Sequence, residues 1–98
     1  MTIYNPETIT KDRKQFQVIS ETRYYFERHN KYYGEADTLG EAERIARKNK
    51  DGKMYPVIYE KDNVDFAIDK YDSNYYVIPK EKASYYYFDS DYKEWCKC

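Results

Sequence analysis

Leucine is almost missing from this chain: Leu39 is the only one in 98 residues. Valine and isoleucine add eleven more aliphatic side chains, and twelve are too few to close a core without help from other apolar residues. Cysteine is limited to Cys96 and Cys98 and histidine to His29. One intervening residue makes Cys96 and Cys98 a poor structural disulfide. A metal site would need two more ligands than the pair provides, so we expect neither metal nor cofactor. Glycine occurs only at Gly34, Gly40 and Gly52, too scattered for a phosphate-cradling loop. No apolar run approaches the roughly 18 residues of a membrane span. "MTIYNPETITKDRK" shows no basic region followed by an apolar stretch, so a cytoplasmic protein is expected. His29 stands alone, with no serine or cysteine constellation tied to it, and the acid pairs fall in turns. The expectation is a protein that is not an enzyme.

What the chain has in excess is tyrosine, 14 of 98 residues. Some of these rings must enter the core in place of leucine. All of them cannot, because each buried hydroxyl needs a partner. Charge is nearly balanced overall but not along the chain. Residues 1–53 carry eleven Lys/Arg against nine Asp/Glu, a net +2, and residues 54–98 carry six against nine, a net −3. That asymmetry is too small for a strongly basic nucleic-acid binder or an acidic tail.

Hydrophobic periodicity divides the chain into a polar arm over residues 1–14 and a single domain over 15–98. "FQVIS" alternates as a strand, and "RYYFERHNKYY" reads as a hairpin turning at His29-Asn30. In "DTLGEAERIARKNKDGK", Thr38 and Glu41 form a capping box. Leu39, Ala42, Ile45 and Ala46 make one apolar stripe, and Asp51-Gly52 ends the helix. Four strand-like runs follow: "MYPVIYE", "VDFAID", "YYVIP" and "SYYYFD". Pro56 in the first suggests an edge or a bulge. The remainder, "SDYKEWCKC", reads as one helical turn or a tail. The predicted fold is α+β, β-β-(β)-α-β-β-β-β, with one helix packed on a mostly antiparallel sheet of five to seven strands.

One helix of about 12 residues is roughly 18 Å long, whereas five strands span about 24 Å. The helix therefore leaves sheet uncovered, and that area must fold over on itself, meet another chain or face water. Tyrosine suits half-wet positions. The aromatic and acidic segment at the end of the chain nominates Tyr85, Tyr87, Tyr92 and Trp95 as anchors for a protein partner, with Asp89 and Asp91 steering encounter. The plain alternative is that the rings merely replace leucine in packing. A second surface, the basic helix end with Arg44, Arg47, Lys48 and Lys50, suits phosphate contact and hence direct nucleic-acid binding; its plain alternative is a solvated helix end matched to the helix dipole. A homodimer pairing uncovered sheet faces is a third use of the same excess.

In length, in the stretch "YYFERHNKYYGEADTLGEAERIARKN" followed by a strand meander, and in its charged aromatic surface, the chain resembles the small Lys-, Asp- and Tyr-rich proteins of phages and mobile elements of low-GC Gram-positive bacteria. That set includes anti-CRISPR and other anti-defence inhibitors. The resemblance implies a stoichiometric inhibitor in the host cytoplasm. It would occlude a host nuclease, defence complex or protein–nucleic acid complex, with no membrane partner.

Overall fold

A computed structural model describes residues 2–4, 13–23, 30–69 and 75–98. The elements are β1 (Thr2–Tyr4), β2 (Phe16–Arg23), β3 (Asn30–Ala36), α1 (Leu39–Lys48), β4 (Val57–Glu60), β5 (Val64–Asp69), β6 (Tyr75–Pro79), β7 (Tyr86–Asp89) and β8 (Glu94–Lys97). One turn of 3₁₀ helix, Lys61–Asn63, joins β4 to β5. All eight strands belong to one sheet, in the order β1-β5-β6-β3-β2-β4-β7-β8, and every neighbouring pair is antiparallel. The fold is thus α+β with one helix on an antiparallel sheet, as expected.

The sheet is wider than the sequence suggests because both ends of the chain join it. Thr2–Tyr4, inside the polar arm, pairs with β5. The closing residues form β8, a strand rather than a helical turn or tail, with Trp95 opposite Phe88 and Cys96 opposite Tyr87. "FQVISETR" is one continuous strand. The turn at His29-Asn30 involves residues 24–29, outside those described. Pro56 lies just before β4, and β4 itself is interior, flanked by β2 and β7. The missing proline N–H therefore costs no ladder bond.

Helix α1 forms for the reasons its sequence carries. Thr38 Oγ1 accepts the Glu41 N–H at 3.2 Å, satisfying an orphan donor at the first turn. Arg47 and Lys48 in the last turn suit the negative end of the helix dipole. Asn49 then caps the helix and its side-chain amide donates to the Ile45 carbonyl at 2.8 Å. Beyond it Asp51 and Met54 exchange both backbone hydrogen bonds, 2.8 and 2.9 Å, around Gly52, whose φ of +61° is the left-handed conformation that favours glycine.

Two cores lie on opposite faces of the sheet. On the helix side Val18, Ala36, Ala42, Ala46 and Ile58 are buried, edged by Phe16, Tyr33, Leu39, Ile45, Tyr86 and Trp95. Small residues let α1 sit close. A Cβ built on Gly34 would lie 3.5 Å from Ile45 Cγ2, and Gly34 has a φ of +151°. Beside it the β2–β3 register skips Tyr33, a β-bulge that keeps Tyr33 on the helix side with Gly34 while Tyr32 faces the other core.

Among the described residues no helix covers the other core. Ile19, Val57, Tyr59, Val64, Phe66 and Val77 are nevertheless buried, with Tyr32, Ala83, Tyr85 and Tyr87 packed at their margin. The sheet supplies the cover by curling. In sheet order β4 and β5 are four strand spacings apart, about 19 Å if the sheet were flat. Glu60 to Val64 is only four residue steps, a reach of at most about 14 Å, and the 3₁₀ turn shortens it. A flat sheet cannot make that connection. The turn is also where the curl is tied: Lys61 N–H donates to Gln15 O at 2.8 Å, Lys80 N–H donates to Asn63 O at 3.0 Å, and the Asn63 amide donates to Ser84 O at 3.4 Å. Of the three fates open to the uncovered sheet, folding over on itself accounts for this face.

Candidate functional site

The β7–β8 hairpin and Tyr85, the residue just before it, carry all six sequence-nominated partner residues, and the pleat separates them. Opposite residues of an antiparallel pair share a face. Tyr87, Asp89, Glu94 and Cys96 therefore lie on one face, and Tyr86, Phe88, Trp95 and Lys97 on the other. Tyr85 and Tyr87 are half-buried at the margin of the curled core; Tyr85 stacks on Tyr59 with ring centroids 5.3 Å apart and meets Tyr87 at 6.1 Å. Trp95 faces the helix side, edge-on to Phe88 at 5.6 Å and to Tyr55 at 6.2 Å, while Tyr55 and Phe88 lie 4.3 Å apart. The three nominated rings Tyr85, Tyr87 and Trp95 are packing groups first, on two different surfaces.

The tip of the hairpin is different. Asp89 Oδ1 accepts the N–H groups of Asp91 at 2.9 Å and Tyr92 at 3.3 Å. This short-range cap fixes the turn, and Lys93 completes it at φ +55°. Tyr92 stands out from it, 76% exposed. Met54, in the Asp51–Met54 turn, is 58% exposed, and these two are the exposed large hydrophobic residues among those described. Ser90 Oγ donates to Lys53 O at 3.5 Å, which sets the two turns side by side. Met54 and Tyr92 thus share one end of the molecule, with Asp91, Lys53 and Lys93 exposed around them. Sequence reasoning found Tyr92 and missed Met54; the available signal was a methionine two residues after the Asp51-Gly52 pair.

The basic surface leads to the same end. Arg44, Arg47, Lys48 and Lys50 are all exposed, and neither ion pair found among the described residues, Arg13–Glu35 and Lys14–Asp37, engages them. Arg44, Arg47 and Lys48 fall within an arc of about 100° on the helix. Lys50 Nζ lies 5.5 Å from the centre of the Tyr55 ring, and so reaches the cluster that holds Trp95.

Two polar groupings were not legible in advance. At the opposite end of β2, Gln17 is fully buried; its amide donates to Lys14 O at 2.7 Å and to Glu35 Oε1 at 3.2 Å. Glu35 also accepts the Lys14 N–H at 2.9 Å and meets Arg13 at 3.4 Å. Burial alone would raise the Glu35 pKa, but the Lys14 N–H, the Gln17 amide and the Arg13 guanidinium together hold it below the ordinary value. Arg13 also lies over the Phe66 ring, 5.4 Å from its centre, so this polar group roofs the curled core. The second grouping is Tyr87 with the cysteines. The Tyr87 phenol is held above its ordinary value, first by electrostatic interaction with Cys96, then by burial, a hydrogen bond with Cys96, and electrostatic interaction with Asp89 and Cys98.

Among the described residues no group of three or more His, Cys, Asp or Glu side chains is placed to hold a metal ion, and no helix is long and apolar enough to cross a membrane. His29 lies outside the described residues. No family model matches the chain, and no curated protein and no solved structure is significantly similar to it.

Proposed function

We propose that this chain is a non-enzymatic binding protein that captures a protein partner with the end of the molecule formed by the Asp51–Met54 turn and the β7–β8 tip. The observation that carries the reading is the pairing of Met54 and Tyr92, both exposed, on two turns joined through Ser90. Each turn is held by backbone or Asp89 hydrogen bonds, so little freedom is lost when a partner covers it. A tyrosine on a rigid support buries much area for few ordered bonds, and the flexible methionine beside it adapts to the partner's surface. Asp91, Lys53 and Lys93 supply a charged rim. The resemblance to phage-borne anti-defence proteins supports a narrower form of the reading: a stoichiometric inhibitor that occludes a host nuclease or defence complex in the cytoplasm.

The test is protection. Bacteria carrying an active defence system, expressing this chain and challenged with phage, should give more plaques than cells expressing Met54→Ala/Tyr92→Ala, and the tagged double variant should lose the captured defence component. Both variants should melt alike. Equal protection by the wild type and the double variant would overturn the assignment of the site; absence of protection and capture by the wild type would overturn the inhibitor reading.

A second reading is supported by the four exposed cations Arg44, Arg47, Lys48 and Lys50, which no ion pair among the described residues engages: a nucleic-acid contact at the same end. It requires retardation of single- or double-stranded DNA or RNA at low salt, lost steeply as salt rises. Retention unaffected by Arg44→Ala/Arg47→Ala, or no retardation at low salt, would reject it.

A further inference from the structure

Strand β8 has a neighbour, β7, on one side only among the described residues. Its outer backbone groups are identifiable. Cys98 N–H donates to Tyr85 O at 2.8 Å, so residues 98, 96 and 94 turn their N–H and C=O toward β7. Alternation leaves the N–H and C=O of Trp95 and Lys97 pointing outward. Such a row of paired donors and acceptors is a template for another strand.

We propose that β8 pairs with β8 of a second copy of this chain, antiparallel, in the register that sets Cys96 against Cys96. Three constraints select it. Residues opposite one another must share a face, so one-residue slips are excluded. Among the remaining registers, centring on Cys96 puts Trp95 of each copy opposite Lys97 of the other as hydrogen-bonded pairs. Two pairs with two bonds each make four backbone hydrogen bonds. Shifting the centre to Lys97 sets like charges face to face, and shifting it to Trp95 keeps a single hydrogen-bonded pair and runs into the Lys93 turn. The chosen register instead lays the Trp95 ring against the lysine of the other copy, a favourable cation–aromatic contact. Glu94 and Lys97, both exposed, then sit away from like partners.

The centre of this pairing has a chemical signature. A non-hydrogen-bonded antiparallel pair brings opposing Cα atoms to about 4.5 Å, inside the range of about 4.4–6.8 Å that a disulfide spans. Four residues per chain bury less than the roughly 1,000 Å² of a stable interface. The association is therefore transient and is best caught by a thiol trap. Oxidised glutathione serves: a Cys96 thiolate attacks it, forming a mixed disulfide and releasing one glutathione. Cys96 of the second copy then attacks the Cys96 sulfur and releases the second. Two protein thiols are oxidised and one glutathione disulfide is reduced to two thiols.

The experiment compares three single-cysteine proteins in oxidised glutathione, with covalent dimer measured by non-reducing electrophoresis. Cys98→Ser retains Cys96. The first control moves the thiol to the exposed tip, Tyr92→Cys with Cys96→Ser and Cys98→Ser. The second moves it by one residue, Lys97→Cys with Cys96→Ser and Cys98→Ser. Pairing raises the local thiol concentration, so Cys98→Ser should link at least about tenfold faster than either control. Lys97→Pro in the Cys98→Ser background removes an outward N–H that no intrachain bond uses, and should bring linking down to the control rate without changing the circular dichroism. Linking of Cys98→Ser no faster than the tip control would overturn the pairing. Equal or faster linking through position 97 would overturn the register. The proposal is independent of the Met54–Tyr92 site, so either can fail without the other.

Discussion

The two faces of the sheet are sealed by different means, and their residues differ accordingly. Under α1 the buried set is small: Ala36, Ala42, Ala46 and Val18, with Ile58. A helix brings its own backbone cylinder as cover, and small side chains let it sit close, with Ile45 over Gly34. Among the described residues the opposite face has no such cylinder. There the sheet curls, and the space is filled by Phe66, Ile19, Tyr59, Val57, Val64 and Val77, with tyrosines at the rim. A chain with one leucine closes two cores by using alanine where a helix covers and aromatics where strands must cover themselves. Among the described residues the tyrosines are thus largely explained by architecture, and the one ring of the hairpin that architecture does not use, Tyr92, is the one proposed for partner capture.

That contrast can be broken most strongly at Phe66. Phe66→Ala should cost about 3–5 kcal/mol, because a fully buried ring is lost from the core that the curled sheet encloses. Chemical denaturation checks this, and a cost under 1 kcal/mol would mean that the curl collapses onto the gap freely. A smaller loss is expected on the other face. Ala46→Leu should cost about 1–3 kcal/mol by forcing α1 off the sheet; a stabilised variant would show that the helix side has room to spare. The smallest effect belongs to the polar roof. The folded-state pKa of Glu35 lies below its unfolded value, so its contribution is fully present above the unfolded value of about 4.3 and is lost as pH falls through the folded one. Melting temperatures of wild type and Glu35→Gln should therefore differ near neutrality and converge toward pH 3. A gap that widens on acidification would contradict the hydrogen bonds assigned to Lys14, Gln17 and Arg13.

Local chemistry was readable in advance, and non-local pairing was not. Helix α1 announced itself through Thr38, Glu41 and its apolar stripe, and "VDFAID" and "YYVIP" match β5 and β6 residue for residue. Glu94–Lys97 gave no such signal, since four residues with two charges alternate too briefly to mark a strand. They become one by pairing with β7. The curl was hidden for the same reason: it follows from joining β4 to β5 by three residues while six other strands are placed around them. Gly34 carried a hint, because an isolated glycine within a strand pattern marks a bulge or a close approach. Of the nominated site, Tyr92 alone among the aromatics stands free. Burial of the others depends on which face of the hairpin each occupies, and that was set by a strand the sequence did not reveal.

The curl also governs how this chain reaches its native form. Its seams join residues far apart along the polypeptide: Asn30 meets Val77, and Thr2 meets Asp69. Such contacts return energy only after long loops have been closed, and topologies dominated by them fold slowly, on the scale of milliseconds to seconds. Newly made chains would pass through that interval with the strands that flank Phe66 not yet brought together, so the rate of self-association during refolding should track how quickly β5 finds its place.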